Sequence, residues 1–308
     1  MAASSITILD TIYWAKRFIF LRNLASGNNN EPALTNANTI LQTIVGAPFA
    51  WRWNRAVIGF VAVQGQQDYT IFNWQQTTAI GIGYVLVDTN GFSQQVTTAG
   101  VTGATIPTPF NITPGQNTTD GSVIWTNMGA IGVGNTSTIY NFDWIETASV
   151  QAYDANTCLP TWKEISVKMN LALDSAQSRP HDVSAQYEDA NGNITFRLMP
   201  APDKAYPVVL SIQQKPTTIT SLNQTWGPIP DEYSRLYNWG FLALSYLYAD
   251  DARFTAANQK FIASLLSTSQ GLTQSERNIW LNNWQAITGV PIENASRTQQ
   301  GFQGRSNL

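Results

Sequence analysis

With 308 residues, 43% of them hydrophobic, the chain has enough apolar material for one large or two modest cores. A formal charge of −3 and a pI near 5.2 provide no broad basic surface for a phosphate backbone, which argues against tight nucleic-acid binding. The single cysteine, Cys158, excludes an internal disulfide framework and multi-cysteine zinc sites, and only 12% of residues are charged, so amides and hydroxyls that are cheap to desolvate fill the surface.

The N-terminal stretch carries Lys16 and Arg17 within its apolar run and lacks the order of basic region, apolar run and cleavage site that marks a signal peptide. Uncharged stretches such as Tyr69–Val87 are broken by Asn73, Gln75, Gln76, Thr77 and glycines. A soluble protein made in a cytoplasm, with no membrane partner, is therefore expected. Residues Ile6–Ala25 place Ile8, Ile12, Trp14, Ala15, Phe18, Ile19 and Leu21 on one broad apolar surface, with Asp10, Lys16, Arg17 and Arg22 elsewhere, which predicts a helix. After the turn-rich Ser26–Asn30, a second helix is predicted over Leu34–Val45, closed by Gly46 and Pro48 and antiparallel to the first.

From Trp51 to Lys215 the period shortens towards two, and Val, Ile, Tyr, Trp and Thr occur in short runs between Gly, Asn, Asp and Pro clusters. Asn90-Gly91, Asp120-Gly121 and Asn191-Gly192 are read as hairpin turns. Helix returns after Pro228, Pro230 and Asp231, with Tyr233, Leu236, Tyr237, Gly240, Leu244, Leu247 and Tyr248 at intervals of three and four. A further helix spans Ala252–Leu266, and Thr273 with Glu276 forms a capping box for a last one holding Ile279, Trp280 and Trp284. Beyond Thr288 and Gly289 the chain is rich in Ser, Gln, Asn and Gly, which reads as an extended tail.

The expected fold class is α+β. Residues 1–50 and 228–288 should form one helical bundle and residues 51–227 a central antiparallel β domain. An inserted β module is expected at about 84–130, and 289–308 form the tail.

Chemical motifs are sparse. His181 is the only histidine, no Gly-x-Ser-x-Gly elbow accompanies it, and Cys158 makes no better partner. Asp250 and Asp251 lie between two helices and read as caps, while Glu188 and Asp189 lead into the Asn191-Gly192 turn. The Asp189–Asn193 stretch lacks the distal Glu of a calcium loop, and Gly81-Ile-Gly83 is followed by Leu86 where a dinucleotide fingerprint needs Gly. Trp51, Trp53, Trp74, Trp125 and Trp144 are read chiefly as core or interface residues. No catalytic residue, cofactor or metal is expected, so the chain reads as a structural subunit rather than an enzyme.

Two segments carry a resemblance: LTNANTILQTIVGAPFAWRWNR, from Leu34, and PIPDEYSRLYNWGFLALSYLYADDARFTAANQKFIASLLSTSQGLTQSERNIWLNNWQ, from Pro228. Together with NGNITFRLMPAPDKAYPVVLSIQQKP, from Asn191, they resemble head-to-tail adaptor proteins of tailed bacteriophages, of the tail tubular protein A type. The resemblance implies a virion-neck protein that forms a ring, usually of twelve copies, below the portal and lets DNA pass through. Implied partners are further copies of itself, the portal protein, a tail nozzle or tail tube protein, and tail fibres. Twelve copies at −3 would carry about −36, a sign that repels DNA from the channel wall if it faces inwards. Arg297, Phe302 and Arg305 in the tail are candidate anchors to the portal or a neighbouring subunit. An alternative is a glycan-binding surface component, in which the Tyr84–Gly129 module, closing with TTDGSVIWTNMG, presents Trp125 to a sugar. A hydrolase using Asp and Glu residues is the remaining alternative.

Overall fold

The computed structural model describes residues 4–26, 30–131, 141–153, 159–173, 175–269 and 272–290. The chain divides into two compact units, Met1–Trp53 with Pro216–Leu308, and Asn54–Lys215. Among the described residues no helix is long and apolar enough to cross a membrane.

The first unit contains helices α1 (Ile8–Ala15), α2 (Ala33–Val45), α3 (Ser234–Tyr248), α4 (Phe254–Thr268) and α5 (Gln274–Thr288). Two short paired strands, β1 (Ala25–Ser26) and β2 (Glu31–Pro32), lie between α1 and α2. Ile8 and Ile12 of α1 and Ile40, Leu41 and Ile44 of α2 share one apolar core with Tyr237, Phe241, Phe261 and Trp284. Helix α3 is the centre of this core, because every residue from Gly240 to Tyr246 is buried. Gly240 permits the close approach: a Cβ there would lie 2.6 Å from Ile40 Cδ1 and 3.0 Å from the Phe261 ring.

Three buried indoles in this unit find acceptors, while the Trp53 Nε1 has none described. Trp226 Nε1 donates to Thr11 Oγ1 at 2.8 Å, Trp284 Nε1 to Asn258 Oδ1 at 2.8 Å, and Trp51 Nε1 to the Ile44 carbonyl at 2.6 Å. Thr7 with Asp10 and Thr273 with Glu276 form capping boxes at α1 and α5, and Gly289 closes α5 at φ +67°. Helix α1 stops at Ala15 instead of continuing to Ala25. Ile19 and Leu24 are both buried, and a five-residue interval puts them on different faces of a helix, so the chain must turn to bury both.

The second unit contains β3 (Arg55–Ala62), β4 (Asp68–Ile71), β5 (Ala79–Ile80), β6 (Tyr84–Val87), β7 (Phe92–Thr98), β8 (Gly100–Val101) and β9 (Asn117–Asp120). It continues with β10 (Val123–Ala130), β11 (Phe142–Tyr153), β12 (Pro160–Val167), β13 (Asp182–Glu188), β14 (Ile194–Met199) and β15 (Tyr206–Gln214). All but β5 and β8, which pair with each other, join one 11-stranded sheet in the order β3-β15-β11-β12-β13-β14-β4-β6-β7-β10-β9.

This overturns the expected fold class. Strands make up 33% of the described residues and helices 28%, and the sheet is large and mixed, not a small antiparallel domain flanked by a helical bundle. Three antiparallel blocks are joined by two short parallel steps, Ser166↔Asp182 with Val167↔Val183, and Thr70↔Tyr84 with Ile71↔Val85. Turn residues advertise hairpins, whereas a parallel step is made by a longer connection with no such signature. The 84–130 segment is correspondingly not a separate sheet: β6, β7, β10 and β9 extend the main one through β4. It does have its own core, made with Phe72 and Ile80 from before residue 84.

Alternation in β15 sends Tyr206, Val208, Leu210 and Ile212 into the main β core, where Phe60 stacks on Tyr69 at 4.7 Å and Phe142 meets Phe196 edge-on at 5.5 Å. Two hairpins use one turn design. In Asp88–Phe92 and Asp189–Asn193 the aspartate Oδ1 accepts the amides two and four residues on, and Gly91 and Gly192 adopt φ +80° and +79°. The sheet's edges are protected. Val61 N of β3 donates to Ser93 Oγ, β9 is short and polar, and the open side of β12 carries Pro160, Lys163 and Glu164.

Candidate functional site

Trp125 is fully buried in β10, with Phe72 stacked at 6.0 Å and Phe110 edge-on at 6.1 Å. Its Nε1 donates to Asp120 Oδ2 at 3.1 Å, which also accepts Trp74 Nε1 at 2.8 Å, while Asp120 Oδ1 accepts the Gly103 amide at 2.7 Å. Asp120 thereby ties two indoles and a loop together. Trp125 has neither a free ring face nor a free N–H for a sugar, so the alternative stacking role is corrected to a structural one. Arg297, Phe302 and Arg305 lie outside the described residues, as does Cys158.

The remaining candidates for chemistry are dispersed. His181 is largely exposed, its Nδ1 3.2 Å from Asp182 Oδ2. Asp251 binds the Arg253 guanidinium and backbone amide, and these bonds hold its carboxyl down to about 2. Glu188 pairs with Lys215 at 2.9 Å, and Asp189 is occupied by its hairpin. Gly83, at φ +88°, leads into β6 and not into a helix N-terminus that could cradle a phosphate. Among the described residues no group of three or more His, Cys, Asp or Glu side chains converges to hold a metal.

Two surfaces stand out instead. On the helical unit, Tyr13, Phe20 and Leu21 are exposed by 51%, 74% and 53%, beside the exposed Lys16, Arg17 and Arg22. Lys16 lies 4.5 Å above the Tyr13 ring and Arg22 5.5 Å from Phe20. Phe18 and Trp14 continue the patch to Trp239, over which Lys260 sits at 4.3 Å. Arg253 Nη1 donates to the Phe18 carbonyl at 2.9 Å. Among the described residues, Lys16, Arg17, Arg22 and Lys260 form no ion pair.

On the β unit, Phe142, Asp143, Trp144, Ile145, Val167, Lys168, Met169 and Ala185 line an open hollow of about 430 Å³. Burial pushes the Asp143 carboxyl up, against the opposing pull of Lys215. Both nearby lysines are engaged elsewhere, Lys215 with Glu188 at 2.9 Å and Lys168 with Asp182 at 3.9 Å. Asp143 has no hydrogen-bonded cation among the described residues, and the buried Trp144 Nε1 has no described acceptor.

No protein-family model matches the chain, and no curated protein matches it significantly. The two surfaces thus rest on their own geometry. Sequence reading passed over Asp143, which no motif marks. The basic patch had a readable signal, since the chain carries three cations and no acid between Thr11 and Asn30.

Proposed function

We propose that this chain is a structural subunit of a tailed-phage neck, forming a ring that joins the portal to the tail and continues the DNA channel. The observation that carries the reading is the shared core of the first unit. Segments from before residue 54 and after residue 215 bury their apolar faces together, and the whole β unit is carried between them. A subunit built this way has a firm helical core and a separate large sheet. The sparse charge and dispersed ionisable groups support a mechanical role over a chemical one.

The test is the particle the purified chain forms. Two-dimensional electron-microscopy class averages and particle mass are expected to give rings of about twelve copies, the number the resemblance implies. A chain that stays monomeric at high concentration and with portal protein present removes the reading. Deleting Ile292–Leu308 tests the tail anchors Arg297, Phe302 and Arg305: ring attachment to the portal is expected to weaken, and unchanged attachment removes their role.

A further inference from the structure

The basic aromatic patch offers cations without a described carboxylate partner, and the hollow offers the Asp143 carboxylate among apolar walls. We propose that they meet between molecules: the exposed Tyr13–Arg22 surface of one copy docks into the Asp143 hollow of a second copy. The inference rests on the subunit reading above and names the surfaces through which copies join.

Complementarity carries the argument. Lys16, Arg17 and Arg22 have no carboxylate partner among the described residues, in a protein whose net charge is −3. Among the described residues Asp143 is the one carboxylate lining the hollow, and Lys168 and Lys215 beside it pair with Asp182 and Glu188. An arginine side chain fits such a place, because its stem packs on apolar walls while its planar head reaches the carboxylate. Phe142, Ile145 and Met169 supply those walls, and Met169 is 99% exposed.

Aromatic, Met and Arg side chains are the residues enriched at interface centres, and here they form both halves. A phosphate backbone or an anionic lipid would satisfy the cations but leave the hollow unexplained; a second copy accounts for both. Docking one face onto a different face of the next copy is a heterologous contact, which generates rings or open chains.

The test is a dilution series of the full chain, followed by particle mass at constant ionic strength. Its variants are the triple reversal K16E/R17E/R22E, Asp143→Lys, and all four substitutions together. The triple reversal and Asp143→Lys are each expected to raise the concentration of half-assembly at least about tenfold, with near-ultraviolet dichroism and Tm unchanged. The combined variant is expected to recover to within about threefold of wild type, because the opposite charges are restored.

Wild-type assembly that the reversals leave unaltered overturns this inference and leaves the ring reading standing. Losses that merely add in the combined variant also overturn it. A wild-type chain that never assembles removes the ring reading and this inference together. If the triple reversal abolishes binding to duplex DNA or anionic vesicles while assembly persists, the patch serves that partner and the inference falls.

Discussion

Replacing Gly240 by alanine places a methyl group 2.6 Å from Ile40 Cδ1 and 3.0 Å from the Phe261 ring, at the meeting of α2, α3 and α4. On an open helix this substitution gains about 1 kcal/mol, because alanine loses less backbone entropy. Here neither neighbour has room to retreat. Ile40 and Phe261 are fully buried, and Phe261 is held by Trp284 at 5.1 Å and Trp280 at 6.4 Å. Overpacking costs about 1–3 kcal/mol, so the net expectation is a loss of up to roughly 2 kcal/mol. For a protein of this size that lowers Tm by about 2–4 °C per kcal/mol.

Urea unfolding followed by tryptophan fluorescence measures the loss. The partner substitution Ile40→Val removes the clashing Cδ1 and alone costs about 0.5–1.5 kcal/mol. Combined with Gly240→Ala, the total should fall short of the sum by about 1 kcal/mol. A stabilised Gly240→Ala variant, or strictly additive losses, would refute close helix packing at this position.

Trp125→Ala should cost about 3–5 kcal/mol by thermal unfolding, the range for a buried tryptophan, and a glycan array should be unchanged by it. Asp189→Ala removes the acceptor for the Asn191 and Asn193 amides and the Asn193 side chain, and should destabilise by about 1 kcal/mol in denaturant titration. Asp231 accepts hydrogen bonds from the Ser5 and Ser4 hydroxyls and from the Ser5 and Ile6 amides, which hold its carboxyl below the usual range. The sign follows from that lowering: the stabilisation is complete above the unfolded carboxylate pKa of about 3.9 and disappears as pH falls through the lower folded value. Wild type should therefore lose more protection of the Ser5 and Ile6 amides below about pH 4 than Asp231→Asn, measured by hydrogen exchange.

What could be read from sequence was local. The Thr273–Glu276 box, the stop at Gly46 and the Gly91, Gly121 and Gly192 turns each depend on a few adjacent residues, and all are present. The two parallel steps depend on segments more than a dozen residues apart whose pairing leaves no mark on composition, so the sheet came out larger and more mixed than its turns suggested. The break after Ala15 required knowing that Ile19 and Leu24 are both buried, and the periodicity of the first helix conceals it. The alternative sugar role of Trp125 fails because Phe72, Phe110 and Asp120 fill the space around its ring, which composition alone does not reveal. Asp143 carries no motif, and its character comes from Ile145, Val167 and Met169 gathered around it by folding.

The narrow parallel seams have a mechanical consequence. Between β4 and β6 the ladder rests on Thr70 and Ile71, and between β12 and β13 on Ser166 and Val167, whereas β15 and β3 are zipped from Tyr206–Ala62 to Gln213–Arg55. Side chains brace each seam instead: Ile71 and Val85 flank the first, Ile165 and Val183 the second, and all four belong to one buried core. Where the backbone ladder is thinnest, apolar packing carries the join between neighbouring strands.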